Sequence, residues 1–78
     1  MTLKIISAEQ IIFTGSVTSV TLPGAIGEFM VLKNHASLIS ALVAGTVRYV
    51  DETGKESSLS VEGGIADVDN NVISVCIY

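Results

Sequence analysis

The sequence predicts an all-β fold in one domain spanning residues 1–78, and three observations carry that expectation. Short apolar or alternating runs are punctuated by turn residues at intervals of roughly 8 to 12, the spacing of a sandwich or barrel. Those runs are rich in Val, Ile, Thr, Phe and Tyr, the side chains that suit a pleated surface. No stretch sustains a helical period over the 10 or more residues that a packed helix requires.

In chain order, Leu3-Lys4-Ile5-Ile6-Ser7 nearly alternates and reads as a half-buried strand. Ser7-Ala8-Glu9-Gln10 has the spacing of a helix capping box, but Ile11-Ile12-Phe13-Thr14 is β-branched and aromatic and soon meets Gly15, so a second strand is preferred. Ser16 to Leu22 forms a third, with Thr18, Val20 and Leu22 expected on one face and Val17, Ser19 and Thr21 on the other. Pro23-Gly24 suits the central positions of a type II turn, Pro fixing φ at the first and Gly supplying positive φ at the second. The loop begun there ends near Glu28.

Phe29 to Leu32 is a further short strand, and Lys33-Asn34-His35 the turn after it. Leu38, Ile39 and Leu42 fit either a helical turn or a short strand, closed by Gly45. Thr46–Asp51 and Ser57–Glu62 flank Glu52-Thr53-Gly54 as a hairpin, with Leu59 and Val61 directed inward. Gly63-Gly64 permits a sharp turn or bulge. Ile65–Val68 and Val72–Tyr78 flank a turn whose Asn70-Asn71 pair tolerates left-handed backbone. In the last strand Val72, Ser74, Cys76 and Tyr78 face one way and Ile73, Val75 and Ile77 the other, neither side strongly polar. Eight or nine strands result on this count.

Composition narrows the function. Hydrophobic residues make up 49% and charged residues 15% of the chain, against about a quarter charged in ordinary domains, so something besides solvent is expected to cover part of the surface. The outer face of the last strand is the first place to expect that cover. No apolar run approaches the roughly 20 residues of a membrane span, and Met1-Thr2-Leu3-Lys4 opens neither a secretory nor a transit signal. These readings favour a cytosolic chain. A net charge of −4 with only four Lys and Arg leaves no basic patch for nucleic acid.

Candidate chemistry is sparse. Cys76 is the single cysteine; it can form neither an internal disulfide nor a metal cluster, and it is expected to be buried as a small hydrophobe. His35 is the one side chain that titrates near neutrality unperturbed. Ser37 lies close to it, but no glycine-framed nucleophile elbow is present, so a turn-fixing or interface role is preferred to catalysis. One histidine builds no transition-metal site. Asp67, Asp69 and Asn70 lack the spaced ligands and closing glutamate of a calcium loop. Gly24 to Gly27 has GxxG spacing without the flanking helices of an RNA-binding fold. Lys33 on a turn offers an alternative reading, a biotinyl- or lipoyl-type carrier domain, although Asn34-His35 are not the neighbours of a carrier lysine.

A distributed set of motifs carries a more specific resemblance. Leu22-Pro23-Gly24, Gly27-Glu28-Phe29, Asn34-His35-Ala36 with Leu38-Ile39 after it, Gly45-Thr46-Val47-Arg48 and Val61-Glu62-Gly63-Gly64-Ile65 resemble, in order and spacing, the N-terminal domain of the epsilon subunit of bacterial and chloroplast F-type ATP synthase. Ser7-Ala8-Glu9-Gln10 and Phe13-Thr14-Gly15 fit the opening of that family. The resemblance implies a flattened β-sandwich of about ten short strands and a non-catalytic rotor subunit. It further implies a seat beside the gamma subunit on the ring of c subunits, with the F1 catalytic subunits engaged indirectly.

By the same resemblance Gly24, Ala25, Ile26, Gly27 and Glu28 correspond to a loop facing the c ring. Ser7, His35 and Ser40 correspond to positions facing gamma. No cofactor is implied, and the location is peripheral, on the cytoplasmic side of the bacterial membrane. Lys33 and Ser37 stand where many members have proline, which is expected to loosen the turn around His35. Typical members continue past the position of Tyr78 into a helical hairpin that restrains ATP hydrolysis, and these 78 residues contain no such hairpin.

Overall fold

A computed structural model describes residues 1–78 as eight strands: β1 Thr2–Ile6, β2 Ile11–Gly24, β3 Gly27–Leu32, β4 Leu38–Leu42, β5 Gly45–Asp51, β6 Glu56–Val61, β7 Gly64–Asp69 and β8 Val72–Ile77. The long strand β2 joins two layers. Its first half, Ile11 to Ser16, pairs antiparallel with β1, in line with β8, β7 and β4. Its second half lies between β3 and β5, with β6 beyond. The result is a flattened sandwich of 27 × 25 × 18 Å, its thin dimension matching two sheets about 10 Å apart with their backbones.

Thirteen hydrophobic residues are buried between the layers. Leu3 and Ile5 of β1, Val17, Val20 and Leu22 of β2, Val47 of β5, and Ile73 and Val75 of β8 are completely inaccessible. Phe13 and Tyr49 close one side of this core, their ring centroids 4.5 Å apart and tilted by 40°, within the range of favourable aromatic pairs.

Several expectations need correction. The segments on either side of Gly15 form one strand, because Gly15 continues the ladder opposite Leu3; this merger brings the count to eight. Strict alternation over Ser16–Leu22 fails at a β-bulge. Val17 pairs with Asp51 and Ser19 with Val50, so Thr18 is the extra residue, its hydroxyl 3.3 Å from the Val50 carbonyl. A bulge reverses the facing of the residues beyond it, and Val17 therefore joins Val20 and Leu22 in the core while Thr18 is exposed. The expected type II turn at Pro23-Gly24 is displaced by two residues. Both belong to β2, and the tip is Ala25-Ile26, closed by the Gly24–Gly27 pair. Gly24 is required by close approach: a Cβ there would stand 2.7 Å from the Gly27 carbonyl oxygen and 2.8 Å from the Phe29 ring.

Ser7–Gln10 starts no helix. The Ser7 amide donates to the Gln10 carbonyl at 2.9 Å, a local bend between β1 and β2. The ambiguity at Leu38–Leu42 resolves to a strand, since Leu38 to Leu42 pair with Val68 to Gly64. Cys76 is exposed, not buried, because Ile73 and Val75 occupy the inward positions of β8 and leave it facing outward. The Asn70-Asn71 turn forms as read, with φ of 50° and 62°.

At the β5–β6 hairpin the Asp51 carboxylate accepts from the Thr53 hydroxyl at 2.6 Å and from the Thr53 and Lys55 amides at 2.9 and 3.0 Å. The Thr53 hydroxyl, with the Lys55 amide second, holds its pKa below the ordinary aspartate value. A depressed carboxylate contributes stability above its unfolded pKa and loses it as pH falls through the folded one. The hairpin tip should therefore loosen below pH about 3.9. Amide exchange at Thr53 and Lys55 checks this, and Asp51→Asn should abolish the acid dependence there while leaving β7 and β8 unchanged.

Candidate assembly surfaces

The β2–β3 hairpin projects a two-residue tip. The Ala25 amide donates to the Ala41 carbonyl at 2.9 Å, tying the tip to β4, and Gly27, at φ 149°, lets the chain reverse. This leaves Ile26 wholly in solvent, while Ile39 of β4 is 74% exposed. Between them runs a groove of about 460 Å³, floored by Phe29 and Leu38 and reaching Ser40. At the hairpin base Glu28 accepts a single charged hydrogen bond from Arg48 of β5 at 3.2 Å.

His35 occupies the β3–β4 loop, where its amide donates to the Leu32 carbonyl at 3.1 Å and its Nδ1 lies 2.7 Å from the Ala36 carbonyl oxygen. Clamps from the β7–β8 hairpin flank it. The Asn34 amide donates to Asn71 Oδ1 at 2.7 Å, the Asn71 amide group returns a bond to Asn34 Oδ1 at 3.1 Å, and the Ser37 hydroxyl donates to Asp69 at 2.6 Å. Asn34 takes φ 65°, which asparagine tolerates. The loop is thus held by polar clamps where a loosened turn was expected. Ser37 is committed to Asp69, and no hydrogen bond links it to His35.

The residues expected to face gamma are not gathered at one point. Ser40 borders the hairpin groove and His35 the polar pocket formed with Asp69, Asn70 and Asn71, whereas Ser7 sits in the β1–β2 bend. Gly24 to Glu28 are contiguous at the hairpin, with Gly24 buried beneath it. Residue-by-residue reading missed a feature that needs the register. Ala41, Ile65, Cys76, Ile6 and Ile11 stand opposite one another across β4, β7, β8, β1 and β2, an apolar row on the outside of one sheet. Within it Ile65 is 50% and Ile11 69% exposed. The two-sided apolar character of β8 was its only trace in the sequence.

The family model for the ATP synthase Delta/Epsilon chain, beta-sandwich domain, matches residues 1–77. The chain belongs to this family. Among relatives, the ATP synthase epsilon chain of Bordetella petrii is 42% identical over 71 residues, covering 91% of this chain and 50% of its own length. That of Wolinella succinogenes is 46% identical over 67 residues, covering 86% and 51%. That of Chlorobium limicola is 41% identical over 69 residues, covering 88% and 78%. The chain thus spans about half the length of the first two.

A chain in the Euglena gracilis mitochondrial ATP synthase structure, described as OSCP/F1/c-ring, superposes with TM-score 0.89 at 25% identity, covering 96% of this chain and 48% of that one. A chain from the Tetrahymena thermophila mitochondrial ATP synthase central stalk/c-ring superposes with TM-score 0.81 at 8% identity, covering 97% and 61%, a likeness of fold alone. Membership in the epsilon family displaces the carrier-domain reading of Lys33, which lies exposed in the β3–β4 turn.

Proposed function

We propose that this chain acts without catalysis as the sandwich domain of an epsilon subunit in the rotor of an F-type ATP synthase. In that role it joins gamma to the c ring and supports coupling of ion flow to ATP synthesis, touching the F1 catalytic subunits only indirectly. The family match over residues 1–77 is the observation that carries the reading. On it, the Gly24–Glu28 hairpin faces the polar loops of the ring, with Ile26 as its apolar contact and Glu28 as its charge. Ser7, His35 and Ser40 face gamma, with the neighbouring apolar surface supplying most of the burial. The complex holds the chain at the cytoplasmic face of the bacterial membrane, peripheral and uninserted.

Copurification tests the assignment. The tagged chain, recovered from gently solubilised native membranes, should bring gamma and c subunits with it; recovery without any ATP synthase subunit would sink the reading. Replacing Glu28 with lysine tests the hairpin. The variant breaks an exposed ion pair worth at most about 1 kcal/mol to folding, so it should reduce ion-coupled ATP synthesis in membranes far more than it lowers the melting midpoint. Normal coupling by the folded variant would remove Glu28 from the ring contact.

A further inference from the structure

The hairpin tip is poorly restrained by its own sequence. Ala25-Ile26 lies between two glycines, residues that lose the most freedom on ordering, and Ile26 touches solvent on all sides. Three ties hold the hairpin end from outside the β2–β3 ladder: the Ala25 amide bond to Ala41 of β4, the Val43 amide bond to the Pro23 carbonyl, both at 2.9 Å, and the Arg48–Glu28 pair, which alone reaches it from β5. That pair is the molecule's one ion pair, and Arg48 is its one arginine.

Register explains how the arginine reaches. Arg48 stands opposite Thr21 on β2, and Thr21 opposite Met30 on β3; Glu28 is two residues from Met30 on the same face. The Arg48 side chain therefore crosses β2 to arrive at the hairpin base. Thr21, flanked by Arg48 and Met30, is only 8% exposed, as expected beneath an arginine stem. The contact uses Oε2 alone, which leaves Glu28 Oε1 free to accept from a second donor. Both side chains stay about half exposed, 42% and 57%, so the pair adds little to folding.

We propose that Arg48 is the positioning residue of the hairpin, a strut that orders the tip and presents the free oxygen of Glu28 to a basic or amide-bearing loop of the ring. This rests on the reading of the hairpin as ring-facing. Ordering a side chain before docking removes a cost otherwise met on binding, worth roughly two- to ten-fold in affinity. A strut also differs from a core contact in what it moves. Its loss changes docking and tip mobility but not global unfolding.

The test uses the full-length subunit and a detergent-solubilised gamma–c-ring complex depleted of it, comparing wild type with Arg48→Gln, Arg48→Lys and Ile26→Ser. Arg48→Gln should bind the complex roughly two- to ten-fold more weakly. Its melting midpoint should be unchanged, with lowered NMR order parameters at the Ala25 to Gly27 amides. Arg48→Lys, whose ammonium can reach the same carboxylate, should recover most of the affinity. If Ile26→Ser weakens docking while Arg48→Gln binds like wild type, or if the Arg48→Gln loss only tracks a lowered midpoint, the strut is wrong and the ring-facing hairpin stands. If neither variant weakens docking, the ring-facing reading itself falls and takes the strut with it.

Discussion

Replacing Gly64 with alanine should remove a third or more of the chain's stability, on the order of 4 kcal/mol. Gly64 opens β7 at φ 155°, where an L side chain is strained, and a Cβ built there would lie 2.2 Å from the Cys76 carbonyl oxygen and 3.0 Å from the Ile77 Cα. Both are backbone atoms of β8, so no rotamer relieves the overlap. Relief requires β7 and β8 to part, and Gly64 pairs with Ile77 on one side and Leu42 on the other. Such a change belongs to the class that costs on the order of 4 kcal/mol or more. A chain of this size holds only about 4 to 12 kcal/mol. Circular dichroism with a thermal scan reads the result, and a variant melting within a few degrees of wild type would refute it. Gly54→Ala is the control: its φ of 88° carries backbone strain, but nothing lies within 4 Å of the new methyl. Its cost should be about 1 kcal/mol.

Leu22→Ala should be nearly as damaging for a different reason. Leu22 is fully buried on the half of β2 that lies between β3 and β5. Neighbours fixed in two ladders cannot collapse into the space left. Removing three carbons from such a site costs about 2 to 5 kcal/mol, which lowers the melting midpoint of a domain this small by roughly 10 to 30 °C. Ile39→Ala, on an exposed position of β4, should move it by no more than a few degrees. Equal effects of the two would mean that Ile39 is covered in solution and that Leu22 is not a core residue.

Local chemistry explains which parts were legible. The Asn70-Asn71 and Gly54 turns were readable because left-handed backbone selects those residues almost regardless of surroundings. The inward positions of β6, Leu59 and Val61, were readable from period-2 alternation. Alternation failed at Thr18, because a bulge is decided by how β2 changes partners from β1 to β5, which no window of neighbouring residues encodes. Pro23-Gly24 misled for a similar reason: Gly24 is small to admit the Phe29 ring, a contact visible only once β3 is paired. The hairpin was recognisable through its motif, but its tie to Arg48, 20 residues on, depends on register across three strands. Cys76 faces outward because Ile73 and Val75 take the inner positions, and residue preference alone favoured the opposite.

The parallel pairing of β1 with β8, Thr2 beside Val72 and Ile6 beside Cys76, constrains the order in which the chain can fold. During synthesis β1 can pair at once with the first half of β2, but its other edge must wait until β8 has left the ribosome, while β3, β5 and β6 meet their neighbours earlier. Pairings that join residues about 70 positions apart close slowly, and folding should fall in the millisecond-to-second range of β-rich domains. Until it is complete, the exposed edges of β1 and β7 are open to other nascent chains.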